Sequence, residues 1–364
     1  MSAGHHTQKE AIRAPAVVAH RGAATRYPEN TLASAKAVMN MAMCYPKVKT
    51  YIEADVRVTA DGKAVIMHDA TVDATTDGHG DVASLTLAEI QAMKAHKRKG
   101  WPSRDEPTLE FEEAKKVQPH LQLHPISDAD NRAPSVEEML ELAWQTNQCQ
   151  KQVGGQPVGL CLELKTRDAV DILAGTINQF AEKHPDAEVP LMLLGIISPV
   201  TVQDNHMMDF WQKLSPKAQH YFYAAPDKVT HVIQKEQWLP NGTVVGAIAS
   251  AASNMRKPFH LIGNPHHSGD DCEVMHENRK RIRANHPSMN TVPEVRHAIE
   301  NKQDAIWTNI AWETMDVVNE RFFQTEKNPP AGAPQPRRGI NPAFGIGGFS
   351  DAPRTRAGWE SGIS

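Results

Sequence analysis

Apolar residues recur along this chain in two periods. Short runs rich in Val, Ile, Leu and Ala alternate with longer stretches in which apolar positions fall three and four residues apart. The first pattern reads as buried strands, the second as helices packed along one face. Strands are predicted at 17–20, 51–58, 64–68, 159–165, 190–197, 220–223, within 244–262 and at 305–309, and helices at 30–43, 86–96, 136–145, 168–182 and 292–301. The runs Ser84-Leu85-Thr86-Leu87-Ala88-Glu89 and Ser135-Val136-Glu137-Glu138 each place a capping hydroxyl ahead of carboxylates near a helix start. Eight strands alternating with helices point to an α/β fold of repeated βα units, and eight is the strand number of a (β/α)8 barrel.

Two regions break the rhythm. Residues 97–134 are polar and rich in proline, too long for an ordinary barrel connection, and read as an insertion over one face or a lid. From 326 to 364 the chain is rich in Pro, Gly, Ala and Arg without apolar periodicity, which predicts a disordered tail. The expected organisation is a flexible start at 1–14, a barrel at 15–325 and the tail beyond it.

A chain of 364 residues with 40% hydrophobic content and a net charge of -4 has enough apolar surface for a sizeable core and carries no polyanion-binding stripe. The basic run from Lys94 to Lys99 precedes Gly100-Trp101-Pro102 and reads as a solvated helix end entering a loop, so no nucleic-acid partner is expected. Cys44, Cys149, Cys161 and Cys272 are scattered without C-x-x-C spacing, which argues against a zinc site or a disulfide framework and for a reducing compartment. The first residues lack the apolar core of a secretory signal, and no run of about 18 apolar residues is present. A cytoplasmic protein without stable membrane insertion is the expectation.

The strand ends carry the chemistry. In a parallel barrel the loops after the strands converge on one mouth. The first predicted strand ends in His20-Arg21-Gly22. Glu53 and Asp55, two apart on the second, share a face, and burying like charges together is unfavourable without a cation. They form either a hard divalent-metal site or one half of an ion pair with Arg21 or Arg57. The third strand ends in His68-Asp69, and the fourth presents Glu163 and Lys165 on one face and leucines on the other. Phosphodiester cleavage needs a cation for the non-bridging oxygens, a base for the nucleophile and an acid for the leaving alkoxide. Imidazoles titrate near neutrality and can exchange the last two roles.

The run His20-Arg21-Gly22, Pro28-Glu29-Asn30-Thr31, Glu53-x-Asp55-Val56, Thr59-x-Asp61-Gly62, Val65-x-x-His68-Asp69, Thr75-Thr76-Asp77-Gly78-x-Gly80 and Glu163-x-Lys165 resembles the glycerophosphodiester phosphodiesterase family in order and spacing. Ala305-Ile306-Trp307-Thr308-Asn309 is similar to its last strand. The resemblance implies a TIM barrel in which His20 and His68 are the acid/base pair, Arg21 and Lys165 contact phosphate, and Glu53, Asp55 and Glu163 bind the metal. It further implies attack by a glycerol hydroxyl to give a cyclic phosphate that water opens, with direct hydrolysis as the alternative. The chain departs from the family at Ala74, where an Arg is usual, at Asn309, where an Asp is usual, and before Tyr51, where a Gly is expected. Both Pro107-Thr108-Leu109-Glu110 and Pro134-Ser135-Val136-Glu137 resemble the family's Pro-Thr-Leu-Glu-Glu helix start, and the helical pattern after the second favours it.

The expected function is hydrolysis of a small-molecule glycerophosphodiester to glycerol 3-phosphate and an alcohol, with Mg²⁺ or Ca²⁺ as cofactor. Two other readings stand beside it: a phospholipase-D-like or sphingomyelinase-like phosphodiesterase acting on lysolipids, and a non-catalytic barrel that binds a phosphorylated ligand. The Glu163-x-Lys165 strand and the absence of a membrane-binding apolar stretch favour the first. Trp307, and less so Trp101, are candidate platforms for a choline-like cation against the plainer reading of core or rim. The 264–271 segment, crowded with His and Asp, reads as a surface loop ahead of a second metal site because its spacing suits no particular ligand set.

Overall fold

In the computed structural model the described residues are 14–100, 122–194, 210, 212–219, 221, 231–234, 284–285, 290–300 and 305–324. The strands are β1 (Ala16–Ala19), β2 (Thr50–Val58), β3 (Ala64–Ile66), β4 (Gly159–Leu164), β5 (Leu191–Leu194), β6 (His231–Gln234), β7 (Ala284–Asn285) and β8 (Ala305–Thr308). The helices are α1 (Leu32–Cys44), α2 (Leu87–Ala92), α3 (Val136–Gln152), α4 (Ala169–Lys183), α5 (Pro216–Gln219), α6 (Val292–Glu300) and α7 (Ala311–Phe322). All ladders but one are parallel, in the order β7-β6-β5-β4-β2-β1-β8. Parallel neighbours joined through helices are the α/β-barrel arrangement.

Strand parity sorts the side chains into two layers. Outward residues Val17, Ala19, Ile52, Ala54, Leu160, Leu162 and Ile306 pack with α1, α3, α4 and α7 in the large core. Inward residues Ala16, Val18, Tyr51, Cys161, Ala305 and Trp307 form a separate interior cluster. Register aligns Val18 with Tyr51 and Trp307, and Asp55 with Glu163. The inward positions are therefore apolar low on the strands and charged at their C-terminal ends. Gly159 makes room for this layer, because a methyl group there would lie 2.4 Å from both the Tyr51 ring and the Pro190 carbonyl oxygen. Gly159→Ala is expected to destabilise the fold by about 1–3 kcal/mol, measured as a lower urea midpoint with an unchanged slope.

Predicted strand 64–68 is not a barrel stave. β3 runs antiparallel to β2, pairing Val56 with Ile66 and Val58 with Ala64, so it forms a hairpin outside the parallel ring. Val65, Met67, Val72, Val82, Ile90 and Ala133 build a second, smaller core beneath it. The helix predicted at 86–96 is shorter: within the run 84–89 it is Thr86 that caps, with Glu89 completing a capping box, and regular helix ends at Ala92. Of predicted strand 220–223 only Tyr221 is among the described residues, and it lies in a turn. Ser135 caps α3 with Glu138 completing the box, in agreement with the helix start chosen at Pro134.

The C-terminal flank of the 97–134 segment docks on α1, where Asn40 and the His124 backbone exchange two hydrogen bonds of 2.8 and 2.9 Å and Lys36 meets Asp130 at 2.7 Å. The centre of that segment, Trp101, Pro107, the strand predicted within 244–262, the 264–271 loop and the tail lie outside the described residues. Among the described residues no helix is long and apolar enough to cross a membrane.

Candidate active site

The turn after β1 is built for its position. Arg21 takes a left-handed backbone (φ 55), and Gly22 follows at φ 80, where a side chain would collide with Ser34. The strained Arg21 carbonyl accepts hydrogen bonds from the Asn30 amide at 3.0 Å and the Ser34 hydroxyl at 2.8 Å. This geometry aims the Arg21 amide at Glu53, whose Oε2 accepts at 2.8 Å, and sends the guanidinium to Glu29 at 2.8 Å.

Glu53 and Asp55 on β2 and Glu163 on β4 converge, all buried, with one oxygen of each lying within 4.8 Å of the others. Lys165 balances two of them: its Nζ is 2.9 Å from Asp55 and closer still to Glu163. Asp55 also accepts from Asn30 Nδ2 at 2.7 Å and faces Arg21 Nε at 3.4 Å. Both alternatives drawn from the sequence thus meet in one place, for the carboxylates cluster and Arg21 and Lys165 sit among them. Arg57 turns away and donates to the His68 carbonyl at 2.9 and 2.7 Å.

The three carboxylates are not equivalent. Burial raises Glu53 well above the ordinary value of 4.5, and the negative charges of Asp55 and Glu163 add to the effect. Burial pushes Glu163 up to about 7 despite Lys165. For Asp55 burial acts in the same direction but is outweighed by Lys165 and Arg21, which hold it well below the carboxylate range. Glu53 Oε1 is buried and accepts no hydrogen bond among the described residues. A buried, donorless oxygen beside two more carboxylates is the donor set a hard divalent cation requires.

The histidines flank this cradle. His20 Nδ1 is 2.8 Å from Asn309 Oδ1, while Asn309 Nδ2 donates to Asn290 Oδ1 at 2.8 Å. That orientation leaves the Asn309 oxygen to accept, so His20 carries its proton on Nδ1 and turns Nε2 toward Glu53, 4.0 Å away. His68 arrives by the hairpin, whose return is fixed by the Met67 amide donating to the Asp55 carbonyl at 2.8 Å. Its Nδ1 is 2.7 Å from Asp69 Oδ1 and its side chain is 33% exposed. Trp307 is only 1% exposed and lies 5.8 Å from the His20 ring, inside the barrel.

His20, Arg21, Glu53, Asp55, His68, Glu163 and Lys165 are therefore gathered at one mouth, whereas Trp307 lies deeper in the barrel interior. Missed were Glu29, Asn30, Asp69, Asn309 and Arg98, which hold Arg21, Asp55 and the two imidazoles. The first four lie in or beside motifs already singled out. Arg98 lies in a basic run with no signal of an inward role; that run is not a solvated helix end, since Arg98 spans Glu29 and Asp69.

The fold and site together define an α/β barrel whose mouth holds a histidine-flanked cluster of three buried carboxylates. Residues 20–153 match the glycerophosphoryl diester phosphodiesterase family. A glycerophosphodiester phosphodiesterase of Caldanaerobacter subterraneus subsp. tengcongensis is 44% identical over 79 residues, 22% of this chain and 30% of that protein. Human glycerophosphodiester phosphodiesterase 1 is 41% identical over 97 residues, 25% of this chain and 27% of the relative. The matched stretch thus spans less than a third of either relative's length. A phosphodiesterase of Oleispira antarctica, solved with sn-glycerol-3-phosphate, superposes with a TM-score of 0.52 at 18% identity, covering 84% of this chain and 97% of that one. A Thermotoga maritima glycerophosphodiester phosphodiesterase gives 0.50 at 15% identity, covering 84% and 99%. These structural likenesses establish the fold: a TIM barrel.

Proposed function

We propose that residues 15–325 form an enzyme that hydrolyses glycerophosphodiesters to glycerol 3-phosphate and an alcohol. The observation that carries this reading is the convergence of Glu53, Asp55 and Glu163 at the barrel mouth between His20 and His68. A Mg²⁺ or Ca²⁺ ion on these carboxylates would neutralise the phosphate's non-bridging oxygens and stabilise the charge of the transition state. Lys165, whose ammonium balances Asp55 and Glu163 in this structure, is then available to the phosphate beside Arg21. Each imidazole keeps a proton on Nδ1 through a fixed partner, Asn309 or Asp69, and presents Nε2 to the reaction. One removes a proton from the attacking oxygen and the other returns one to the leaving alkoxide.

The chain incubated with glycerophosphocholine, glycerophosphoethanolamine and glycerophosphoinositol is expected to release glycerol phosphate only when a divalent cation is present. Turnover indifferent to exhaustive chelation contradicts the cation cradle. Release of ceramide phosphate, lysophosphatidate or their cyclic forms from intact lipid, without turnover of the water-soluble diesters, replaces the substrate class.

A further inference from the structure

The basic run at Lys94–Lys99 contains two kinds of residue. Lys94 reaches Asp128 at 3.3 Å with both side chains largely in solvent, an ordinary surface pair. Lys97 and Arg98 turn inward instead. Lys97 Nζ donates to the Thr25 carbonyl at 3.3 Å, in the loop that follows His20. Arg98 donates from Nε and NH2 to the two oxygens of Glu29, each at 2.9 Å, and its NH1 lies 2.9 Å from Asp69 Oδ2. All three guanidinium nitrogens are engaged, and the Glu29 carboxylate they grip is almost wholly buried.

Each partner of Arg98 also holds a residue of the proposed site. Glu29 Oε1 accepts from Arg21 at 2.8 Å, and Asp69 Oδ1 faces His68 Nδ1 at 2.7 Å. One planar fork thus fixes two carboxylates, one behind the phosphate-facing arginine and one behind an imidazole, with a rigidity that lysine cannot supply. We infer that Arg98 is a positioning residue for the reaction, holding Asp69 so that His68 keeps its proton on Nδ1 and offers Nε2 to the substrate. The inference rests on the reading of His68 as a proton-transfer group. It assigns a role to the first residues of the 97–134 segment, which tie the barrel's first loop to the hairpin.

The test uses the full chain with Arg98→Gln, Arg98→Lys and Asp69→Asn. Arg98→Gln is expected to lower kcat by about ten- to a hundredfold while KM changes by less than about threefold. Arg98→Lys, which keeps the charge but loses the fork, falls between. Asp69→Asn lowers kcat at least as far, and the double variant falls clearly short of the product of the two single losses, because both changes break the Asp69–His68 link while only Arg98→Gln also releases Glu29. Nitrogen NMR on histidine-labelled protein reads the tautomer without turnover: the wild type shows His68 protonated on Nδ1, and Arg98→Gln shows a mixture. An unchanged kcat and an unchanged His68 spectrum in Arg98→Gln overturn the proposal. So does a loss of kcat accompanied by lower melting temperature with the His68 tautomer intact, which marks a purely structural staple. Should the wild type turn over no glycerophosphodiester, the functional reading fails and the nitrogen spectrum alone decides the role of Arg98.

Discussion

Glu53→Gln is expected to reduce turnover by about two to three orders of magnitude or more, while raising the melting temperature of the cation-free protein. The two effects have one cause. Glu53 is buried beside Asp55 and Glu163, and its Oε1 has no donor among the described residues. An amide of the same shape removes the unfavourable charge and keeps an oxygen for the Arg21 amide, but it weakens the cradle as a cation site. Divalent cation should therefore raise the melting temperature of the wild type and leave Glu53→Gln nearly unaffected. Glu53 and Glu163 both bind their protons more tightly folded than unfolded, with Glu163 at about 7 against an ordinary 4.5. That contribution is complete below pH 4.5 and is lost as the pH climbs toward 7. The melting temperature of the cation-free wild type is expected to carry this falling component across the window, and saturating cation to flatten it. A variant that still melts higher with cation, or that keeps wild-type turnover, removes Glu53 from the ligand set.

Alanine at His68 or His20 is expected to lower kcat by about two to four orders of magnitude with little change in KM. The two variants should differ in stability. His68 is a third exposed and its Nδ1 partner is the neighbouring Asp69, so His68→Ala should melt close to the wild type. His20 is buried against Trp307 and bonded to Asn309, so His20→Ala leaves a cavity and an unsatisfied amide oxygen and should melt lower. Steady-state kinetics with parallel thermal melts separates these effects. A loss smaller than about tenfold at either position would exclude that histidine from proton transfer.

The inward face of the barrel was legible because strand periodicity is two. His20, Glu53, Asp55, Glu163 and Lys165 each fall on the same parity as the apolar interior residues of their own strand or its continuation. The direction of β3 was not read, although the signal was present. Thr59-Ala60-Asp61-Gly62-Lys63 joins β2 to β3 in five residues, and a parallel crossover needs roughly a dozen or more. Gly62 at φ 68 and the Thr59 amide donating to the Lys63 carbonyl at 3.0 Å close that turn as a hairpin. Arg98 had no comparable signal. Its partner Glu29 lies 69 residues away, and a guanidinium in a basic run looks the same from the sequence whether it faces water or a buried carboxylate.

The hairpin divides responsibility for the site between two packing units. The carboxylates and His20 are rooted in the barrel, whereas His68 rides on the small cluster of Val65, Met67, Val72, Val82, Ile90 and Ala133. Opening that satellite disrupts far less buried apolar surface than opening the barrel. On the proposed mechanism, the placing of one imidazole relative to the other is set by how the hairpin docks on the barrel, and the three-carboxylate cluster is set by the barrel strands alone.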